Sequence, residues 1–359
     1  MVICIVLWDF PHLQMNSMFK NRIQPAPVSG SFRMADYWIW GASPIRGDDG
    51  RYHLFASRWS KAVSFLHWAT NSEVVRASAD RPEGPYEFEE VVLGPRDPEF
   101  WDGCCAHNPT IHEHNGTYLL FYTGTTYAGK RPDDRERDGH CSVKWVEGWN
   151  HKRIGMAVAD SVCGPWRRPD VPSLTVRPGA WDSVIVSNPA PCVRADGSVL
   201  LVYKGTDVKH PQGLFPGRFH LGVAKTDHWS KPFERLGGTP IRLEGHPDHH
   251  IEDASIWWNG REYEMIAKDM TGELCGEAQA GLHAHSEDGL NWELSPEPKA
   301  VSRTVIWDDG TTTKCPKLER WQLLKEGGKP THLFAATLAK DERGMISDSW
   351  NCVLPLVED

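Results

Sequence analysis

Two neighbouring carboxylates, Glu252 and Asp253, directly follow the pair His249-His250 and one isoleucine. Adjacent carboxylates raise the pKa of one of the two, so that one can carry a proton near neutral pH while the other stays ionised. Imidazole groups beside them can also move protons, because their pKa lies near neutral pH. The residue types around Glu252 therefore predict acid–base chemistry.

The elements that position these groups are indicated by a phrase repeated five times: a polar residue, usually Pro, an apolar residue, and then a Gly leading into a β-rich run. The pivot glycines are 63 to 81 residues apart, at Gly50, Gly116, Gly197, Gly260 and Gly328. A second repeat of Gly, Pro and an aromatic residue, as in Gly84-Pro85-Tyr86, follows out of phase. The spacing of the pivot glycines fits one four-stranded blade with its loops. We predict an all-β, five-bladed β-propeller at residues 31–359, preceded by an N-terminal arm at residues 1–30.

Composition excludes several classes of partner. The formal charge is −9, and no basic cluster alternates with aromatic residues, so we expect no nucleic-acid partner. No apolar run is long enough to span a bilayer, and the apolar residues 2–9 lack a basic leader and a cleavage site, so we expect no membrane partner and a cytoplasmic location. A true start at Met15 or Met18 is an alternative. Nine cysteines without metal-like spacing indicate free thiols, and we expect no cofactor and no metal. The oligomeric state stays open.

A propeller places the first strand of every blade around one central channel, so the residues beside each repeated Pro are predicted to face a shared cavity. This predicted ring consists of Ala42-Ser43, His107-Asn108, Ser187-Asn188, Glu252-Asp253 and Glu319-Arg320. Charged and amide groups are costly to bury unless they are paired or meet a polar ligand. The ring is therefore the predicted binding site.

With these repeats, the chain resembles the five-bladed glycoside hydrolases of family 43, which are arabinofuranosidases and xylosidases, and of family 117, which are anhydrogalactosidases. The resemblance covers roughly residues 31 to 340. In family 43 the general acid is the Glu of a Glu-Gly-Pro triplet that opens the fourth blade, and Glu252-Asp253-Ala254 stands there in this chain. The resemblance implies that Glu252 is the general acid of an inverting, exo-acting glycosidase. Its substrate is expected to be a plant or algal oligosaccharide or polysaccharide, with anionic and anhydro terminal sugars included.

The general base carries over less directly. Family 43 has Asp-Pro pairs where this chain has Ser43-Pro44 and Asn188-Pro189, and neither Ser nor Asn can act as a carboxylate. Hydrolysis with inversion still requires a base to activate water. Asp36 is our first candidate, and Asp182 and Asp253 are the alternatives. Asp182 belongs to a repeated Trp-Asp pair, which also fits a structural role.

Histidine offers an alternative acid. The resemblance to family 117 implies that a His takes the acid role. His107 or His250 is therefore an alternative to Glu252. The further residues expected to bind substrate are the flat aromatic faces, the cations and the remaining polar residues of the ring: Trp38, Trp40, Arg58, Asn108, Asn188, Lys204, His250, Lys268, Glu319 and Arg320.

The lysines have two interpretations. Lys204 and Lys268 occupy the same register on the second strands of adjacent blades, with Arg58 one step later in blade one. They either neutralise the carboxylates or bind an anionic sugar. Two segments rich in charge and turns, 126–152 and 207–218, are predicted to form the rim of the pocket and to favour the cutting of terminal sugars.

Two other function classes remain open on the sequence. A polysaccharide lyase acting on uronate-containing glycans needs a His or Tyr base and cations that neutralise the uronate, which His107, Arg58, Lys204 and Lys268 can supply. A non-catalytic carbohydrate-binding propeller would keep the Trp and Asn residues and tolerate loss of Glu252.

Overall fold

The computed structural model describes residues 19–133, 142–210 and 218–357. Residues 2–9 and both alternative start positions lie outside these ranges, as do parts of both predicted rim segments. None of the helices in the described part of the protein is long and apolar enough to cross a lipid bilayer.

Blade one shows how each repeat folds. Its four antiparallel strands, in spatial order, are β1 (Tyr37–Arg46), β2 (Tyr52–Ser60), β3 (Glu73–Ala79) and β4 (Glu87–Leu93). The β1–β2 hairpin turns at Gly50, where φ is +81°. That left-handed conformation is costly for other residues and explains the repeated Gly, because all five pivot glycines have positive φ.

The other blades follow in chain order. Blade two contains β5 (Cys105–His114), β6 (Thr117–Thr125) and β7 (Arg153–Ala159). Blade three contains β8 (Ile185–Val193), β9 (Val199–Thr206), β10 (His220–Thr226) and β11 (Glu234–Arg235). Blade four contains β13 (Ile251–Trp258), β14 (Tyr263–Asp269), β15 (Gly281–Ser286) and β16 (Asn291–Val301), with β12 (Arg242–Leu243) parallel to β16. Blade five contains β19 (Leu318–Glu326), β20 (Lys329–Lys340) and β21 (Ile346–Pro355).

The innermost strands close a ring. Contacts run from β1 to β5, β8, β13, β19 and back to β1. A separate hairpin of β17 (Thr304–Ile306) and β18 (Thr312–Lys314) precedes blade five. The predicted all-β, five-bladed propeller is therefore confirmed.

Within the described residues, blades two and five have three strands each and no full outer strand, unlike the four-stranded unit that the sequence predicts. In blade two the outer edge is reduced to single bridges, at Arg167 and at Leu174. In blade five, Phe32 and Asn351 exchange two backbone hydrogen bonds, of 3.4 and 3.1 Å. The segment ahead of blade one thus lies along the last strand and joins the two ends of the ring, which leaves that sheet edge covered.

Aromatic residues of the repeated turn pack blades one, two and three onto the preceding blade. Tyr86 contacts Phe334 of blade five, Trp166 contacts Phe55 of blade one, and Phe233 contacts Phe121 of blade two, all edge to face. Edge-to-face packing is a favoured geometry for aromatic pairs and adds to the gain from burial. The repeated turn therefore supplies the wedge between neighbouring sheets.

The helices of the described ranges are short. They are α1 (Phe19–Arg22), a 3₁₀ turn (Phe65–His67) that leads into α2 (Trp68–Asn71), and α3 (Val143–Asn150) in the inserted segment of blade two. The Ser142 hydroxyl caps α3 by accepting a hydrogen bond from the Trp145 amide at 3.1 Å. Asn150 and His210 exchange two hydrogen bonds, so the insertions of blades two and three pack against each other.

Candidate active site

Every innermost strand carries a bulge at the same height. The bulge residues all have positive φ, between 52° and 61°, and they are Gly41, Asn108, Asn188, Asp253 and Arg320. Asn and Asp tolerate the left-handed region better than other non-glycine residues. Ser43 was expected at this position in blade one, but the position belongs to Gly41. Ser43 lies two residues further along β1, where its hydroxyl accepts a hydrogen bond from the Ile111 amide at 2.9 Å.

The bulge side chains meet in a hydrogen-bonded chain across the axis. Asn108 Nδ2 donates to Asn188 Oδ1 at 2.9 Å, and Asn188 Nδ2 donates to Asp253 Oδ1 at 2.6 Å. Arg320 Nη1 donates to the same Asp253 oxygen at 3.3 Å. Gly41 brings no side chain, and beside it Asn108 Oδ1 and Arg320 Nε are buried without a hydrogen-bond partner among the described residues. The chain of bulge residues is therefore closed except at blade one.

The residues immediately before the bulges form a second tier, which contains the site's charge cluster. Lys268 Nζ lies 2.6 Å from Glu252 Oε1, 3.0 Å from Asp253 Oδ2 and 2.7 Å from Glu319 Oε2. Lys204 Nζ lies 3.0 Å from the other oxygen of Glu252. The Glu252 and Glu319 side chains are 10% and 11% exposed, so the cluster keeps only a narrow opening. The structure thus brings together Glu252, Asp253, Glu319, Lys204 and Lys268.

These contacts fix the charge of the cluster. Burial alone would raise the pKa of Glu252, but the ammonium groups of Lys204 and Lys268 outweigh it and lower the pKa to about 2. Burial also opposes ionisation of Asp253, yet Lys268 and Arg320 hold its pKa below the usual value. The three carboxylates keep the pKa of Lys268 well above its usual value despite burial. Glu252 is therefore ionised at neutral pH in this state, although a general acid has to carry a proton.

The predicted base Asp36 does not meet this cluster. It lies in an exposed turn just before β1 and four residues ahead of Trp40, the second-tier residue of blade one. Four residues of extended strand span about 13 Å. The structure therefore does not bring Asp36 and Glu252 together as an acid–base pair.

Asp182 lies in a structural clasp away from the ring. Its fully buried carboxylate contacts Arg177 and Arg235, each at 2.9 Å, and accepts a hydrogen bond from the Tyr203 hydroxyl at 2.8 Å. Asp102 repeats this arrangement in blade two with Arg96, Arg168 and Tyr122. The repetition in two blades supports the structural alternative for Asp182.

Arg58 also lies outside the charge cluster. It pairs with Glu73 of β3 at 2.9 Å and lies between the Tyr37 and Phe88 rings, 4.2 and 4.3 Å away. Side chains alternate between the two faces of a strand, so the one-residue step from the register of Lys204 and Lys268 turns Arg58 to the other face. The structure does not place Arg58 with the other predicted substrate-binding residues.

Trp38 and Trp40 belong to an aromatic cluster on blade one. Both contact the Phe65 ring edge to face, at 5.6 and 5.2 Å, and each is only 7% exposed. The Trp38 indole also donates to the Val63 carbonyl at 3.0 Å. Trp40 occupies the second tier, so of the two it is the one placed to contact a ligand at the ring.

The two candidate histidines line the side of the site that faces blades two and three. His107 stacks on Trp68 with ring centroids 5.3 Å apart, and its Nδ1 lies 2.8 Å from the Ser72 hydroxyl. Burial, and then the charge of Lys152, hold the pKa of His107 well below its usual value. His250 contacts Phe219, and burial lowers its pKa as well. Both rings are therefore neutral near pH 7, which fits a proton acceptor better than an acid.

Lys152 is a site residue that the sequence-based reasoning missed. It is 96% buried just before β7, with Nζ 4.3 Å from the Trp68 ring and 4.8 Å from the Trp149 ring. Burial, and then the charge of Lys204, lower its pKa well below the usual value. It lies at the end of the inserted segment 126–152, outside the repeated strands and turns, so no repeat pointed to it.

Other cavities carry less chemistry. A groove of about 440 Å³ lies on the outer side, lined by residues 28–31 and by Arg33, Tyr86, Trp307 and Trp350. Below the ring, a small cavity of about 30 Å³ lies beside Thr110, Gln322 and Lys325. In the described ranges no group of three or more His, Cys, Asp or Glu side chains is arranged to hold a metal ion. The second-tier cluster is therefore the candidate active site.

No family model and no curated protein matches the sequence. Solved structures do share the fold. The structure of Zg3597, a family 117 glycoside hydrolase from the marine bacterium Zobellia galactanivorans, matches with a TM-score of 0.61 and 16% identity, covering 94% of this chain and 92% of that protein. The structure of BT0996 in an RGII complex matches with a TM-score of 0.63 and 15% identity, over 94% of this chain and 92% of BT0996.

A third similar structure is CoXyl43, a family 43 β-xylosidase/α-arabinofuranosidase from a compost microbial metagenome. Its TM-score is 0.55 and its identity 13%, over 90% of this chain and 98% of CoXyl43. At these identities the likeness concerns the fold. The protein thus has the same five-bladed propeller fold as these solved structures, over nearly its whole length.

Proposed function

We propose that the protein is a glycoside hydrolase that acts on an oligosaccharide or polysaccharide at the second tier of its axial channel. The observation that carries the proposal is that Glu252 and Glu319, from neighbouring blades, converge on one buried ammonium, Lys268. Cleavage of a glycosidic bond generally uses two carboxyl groups that flank it. The similar solved structures whose names identify them as family 43 and family 117 glycoside hydrolases support the same reading.

The contacts distinguish the roles of the two carboxyl groups. Both oxygens of Glu252 contact an ammonium, which favours a permanently ionised group. Glu319 contacts Lys268 at 2.7 Å and Lys317 at 3.7 Å through Oε2 alone, while its Oε1 has no partner among the described residues. We therefore assign the nucleophile to Glu252 and the proton donor to Glu319, which replaces the expectation that Glu252 is the acid.

The separation of the two groups bears on stereochemistry. The clamped oxygens of Glu252 and Glu319 each lie within 2.7 Å of Lys268 Nζ. They are therefore at most about 5.3 Å apart, an upper limit that lies below the ~6.5–9.5 Å of inverting enzymes and admits the ~5–5.5 Å of retaining ones. We propose retention in place of the inversion expected with Asp36 as base.

The proposed reaction has two steps. Glu252 attacks the anomeric carbon while Glu319 donates its proton to the departing glycosidic oxygen, which leaves as an alcohol. Glu319 then removes a proton from water, whose oxygen attacks the same carbon and releases Glu252. The small exposed fraction of both carboxylates supports a closed pocket and hence removal of terminal sugars.

The test is a screen of oligosaccharides and aryl glycosides, with the anomeric configuration of the first-formed product followed by NMR. Retained configuration is expected, together with a loss of about 10²–10⁴-fold in Glu319→Gln on unactivated substrates. Asp36→Asn is the matched control and is expected to keep its activity. An inverted first product would reject the Glu252–Glu319 pair, and turnover of no glycoside at all would reject the hydrolase.

A polysaccharide lyase is the second candidate, and the neutral His107 beside Lys152 and Lys204 favours it. A neutral imidazole can remove the proton next to a uronate carboxylate, and the lysines can stabilise the charge that develops. Elimination leaves an unsaturated sugar that absorbs ultraviolet light. Appearance of that absorbance on uronate polymers, abolished by His107→Ala and retained in Glu319→Gln, would establish the lyase in place of the hydrolase.

A further inference from the structure

The buried charges of the candidate site balance except for one lysine. Each of the carboxylates Glu252, Asp253 and Glu319 contacts at least one of Lys204, Lys268 and Arg320. Lys152 adds a further buried amine and forms no ion pair with any described residue. Burying an ammonium without a counter-charge is costly, which is why the pKa of Lys152 is lowered and why an anion placed beside it would favour its charged form. An amine that lacks a counter-charge thus lies beside the proposed catalytic carboxylates.

An aromatic wall, formed by Trp68, Trp149 and Phe219, connects Lys152 to Lys204. The Lys152 ammonium lies over Trp68 and Trp149, and the Lys204 ammonium lies 4.5 Å from the Phe219 ring. Trp149 and Phe219 contact each other with centroids 6.0 Å apart. Both lysine side chains thus lie on one surface, contributed by α2 of blade one, by the insertion of blade two and by blade three.

This surface adjoins the reacting groups. Trp68 also stacks on His107 of the second tier, and Lys204 contacts Glu252. A sugar bound between Glu252 and Glu319 can therefore present a substituent to the two lysines. Ammonium groups bind carboxylates and sulfate esters through short, charge-assisted hydrogen bonds, and aromatic faces pack on sugar rings.

We propose that Lys152, together with Lys204, binds an anionic substituent, a carboxylate or a sulfate ester, on the sugar held at the proposed active site. This inference rests on the proposed glycoside hydrolase function and names its substrate class as acidic sugars. Lys268 is excluded from this role because the three carboxylates occupy it. Of the pair Lys152 and Lys204, only Lys204 has an ion-pair partner among the described residues, which is Glu252.

Binding of monosaccharides tests the proposal without turnover. The dissociation constants of D-glucuronate and D-galacturonate are compared with those of D-glucose and D-galactose by calorimetry on the unaltered protein, and galactose 6-sulfate is the sulfate arm. At least tenfold tighter binding of an acidic sugar than of its neutral partner is expected, since a charge-assisted contact to a buried group is strong. The better acidic ligand identifies carboxylate or sulfate as the substituent. Equal binding of acidic and neutral sugars would overturn the proposal.

Two variants then test the residue. Lys152→Met is expected to lose the preference for acidic sugars while binding the neutral partners as before, and Lys152→Arg is expected to keep most of it. The matched control is Lys325→Met, at the lower mouth of the same channel, which is expected to leave the preference unchanged. An undiminished preference in Lys152→Met would overturn the assignment.

The fold of Lys152→Met is checked by its melting temperature, which is expected to rise because a buried amine without a counter-charge is removed. If this variant does not fold, Lys152→Glu judged beside Lys152→Arg decides the assignment, because reversal of the charge must abolish a preference that the Arg variant keeps. The two proposals fail separately. Uronate binding without hydrolysis of any glycoside rejects the hydrolase alone, and hydrolysis of neutral and acidic glycosides alike rejects the anion subsite alone.

Discussion

Lys268 Nζ lies 2.6 Å from Glu252 Oε1 in a site where both side chains are at most 10% exposed. The two residues are directly opposite each other on β14 and β13 of blade four. Their pairing holds Glu252 ionised and Lys268 protonated, although burial opposes both charges. Since Lys268 also contacts Glu319, this lysine links the two proposed catalytic carboxylates.

Removal of Lys268 is expected to destabilise the fold. Lys268→Met leaves three buried carboxylates without their shared cation, and breaking a buried pair from one side costs about 3–5 kcal/mol. The free energy of unfolding, measured by urea denaturation at pH 7, reports the loss. The exposed Lys325, changed to Met, is the control. A loss below about 1 kcal/mol in Lys268→Met would contradict the pairing.

Glu252 is expected to make stability depend on pH in the acid range. Its folded pKa of about 2 lies below the ordinary value of 4.5, so its contribution is complete above pH 4.5 and is lost as the pH falls toward 2. That contribution is on the order of 3 kcal/mol. Urea unfolding across this range is expected to show a shallower pH slope in Glu252→Gln than in the parent. The exposed Glu87, changed to Gln, should keep the parental slope, and equal slopes in all three proteins would refute the prediction.

The two proposed catalytic carboxylates are expected to respond differently to the leaving group. Glu319→Gln removes proton donation, so aryl glycosides with acidic phenols should be spared while alkyl glycosides lose about 10²–10⁴-fold in kcat/KM. Glu252→Gln removes the nucleophile, so both substrate types should lose activity alike. Kinetics on a series of aryl glycosides measures both effects. The opposite pattern would return the acid role to Glu252.

Asp182 is expected to matter for stability and not for catalysis. Asp182→Asn leaves Arg177 and Arg235 without their buried counter-charge, so we expect a loss of about 3–5 kcal/mol in the free energy of unfolding. The kcat of the folded fraction should stay within about threefold of the parent. Asp102→Asn is the matched variant in blade two, and a hundredfold loss of kcat in Asp182→Asn alone would restore a catalytic role.

Gly41 is expected to prefer Asn over Ala as a replacement. Its φ of 55° is left-handed, where a residue with a Cβ costs about 1–2 kcal/mol and Asn is tolerated best. An added Cβ would lie 3.3 Å from Asn108 Oδ1. Gly41→Ala should therefore lower the melting temperature more than Gly41→Asn does. Equal melting temperatures would show that the bulge conformation is not limiting.

The arrangement of blades could be predicted from the sequence because its signals are local. Each hairpin needs a Gly in the left-handed conformation, and the turn after it uses Gly, Pro and an aromatic residue. Both needs are met by residues that are neighbours in sequence. The same repeats predicted that Asn108, Asn188, Asp253 and Arg320 share one position. In blade one the repeated Pro predicted the wrong bulge residue, because Ser43 lies two residues past the bulge at Gly41. The catalytic and substrate-binding roles of these residues stay predictions.

The sequence alone determined the number of blades and the polar character of the channel, since both follow from hairpins whose hydrogen bonds form between adjacent strands. Only the tertiary structure decided which charges meet. Packing of blade five against blade four brings Glu319 beside Glu252, while Asp36 stays in an exposed turn before β1. The packing of the inserted segment of blade two buries Lys152 against Trp149 nearby in sequence and against Trp68, which is distant in sequence. These contacts depend on the relative positions of whole blades and insertions in the folded protein. Local sequence patterns do not specify those positions.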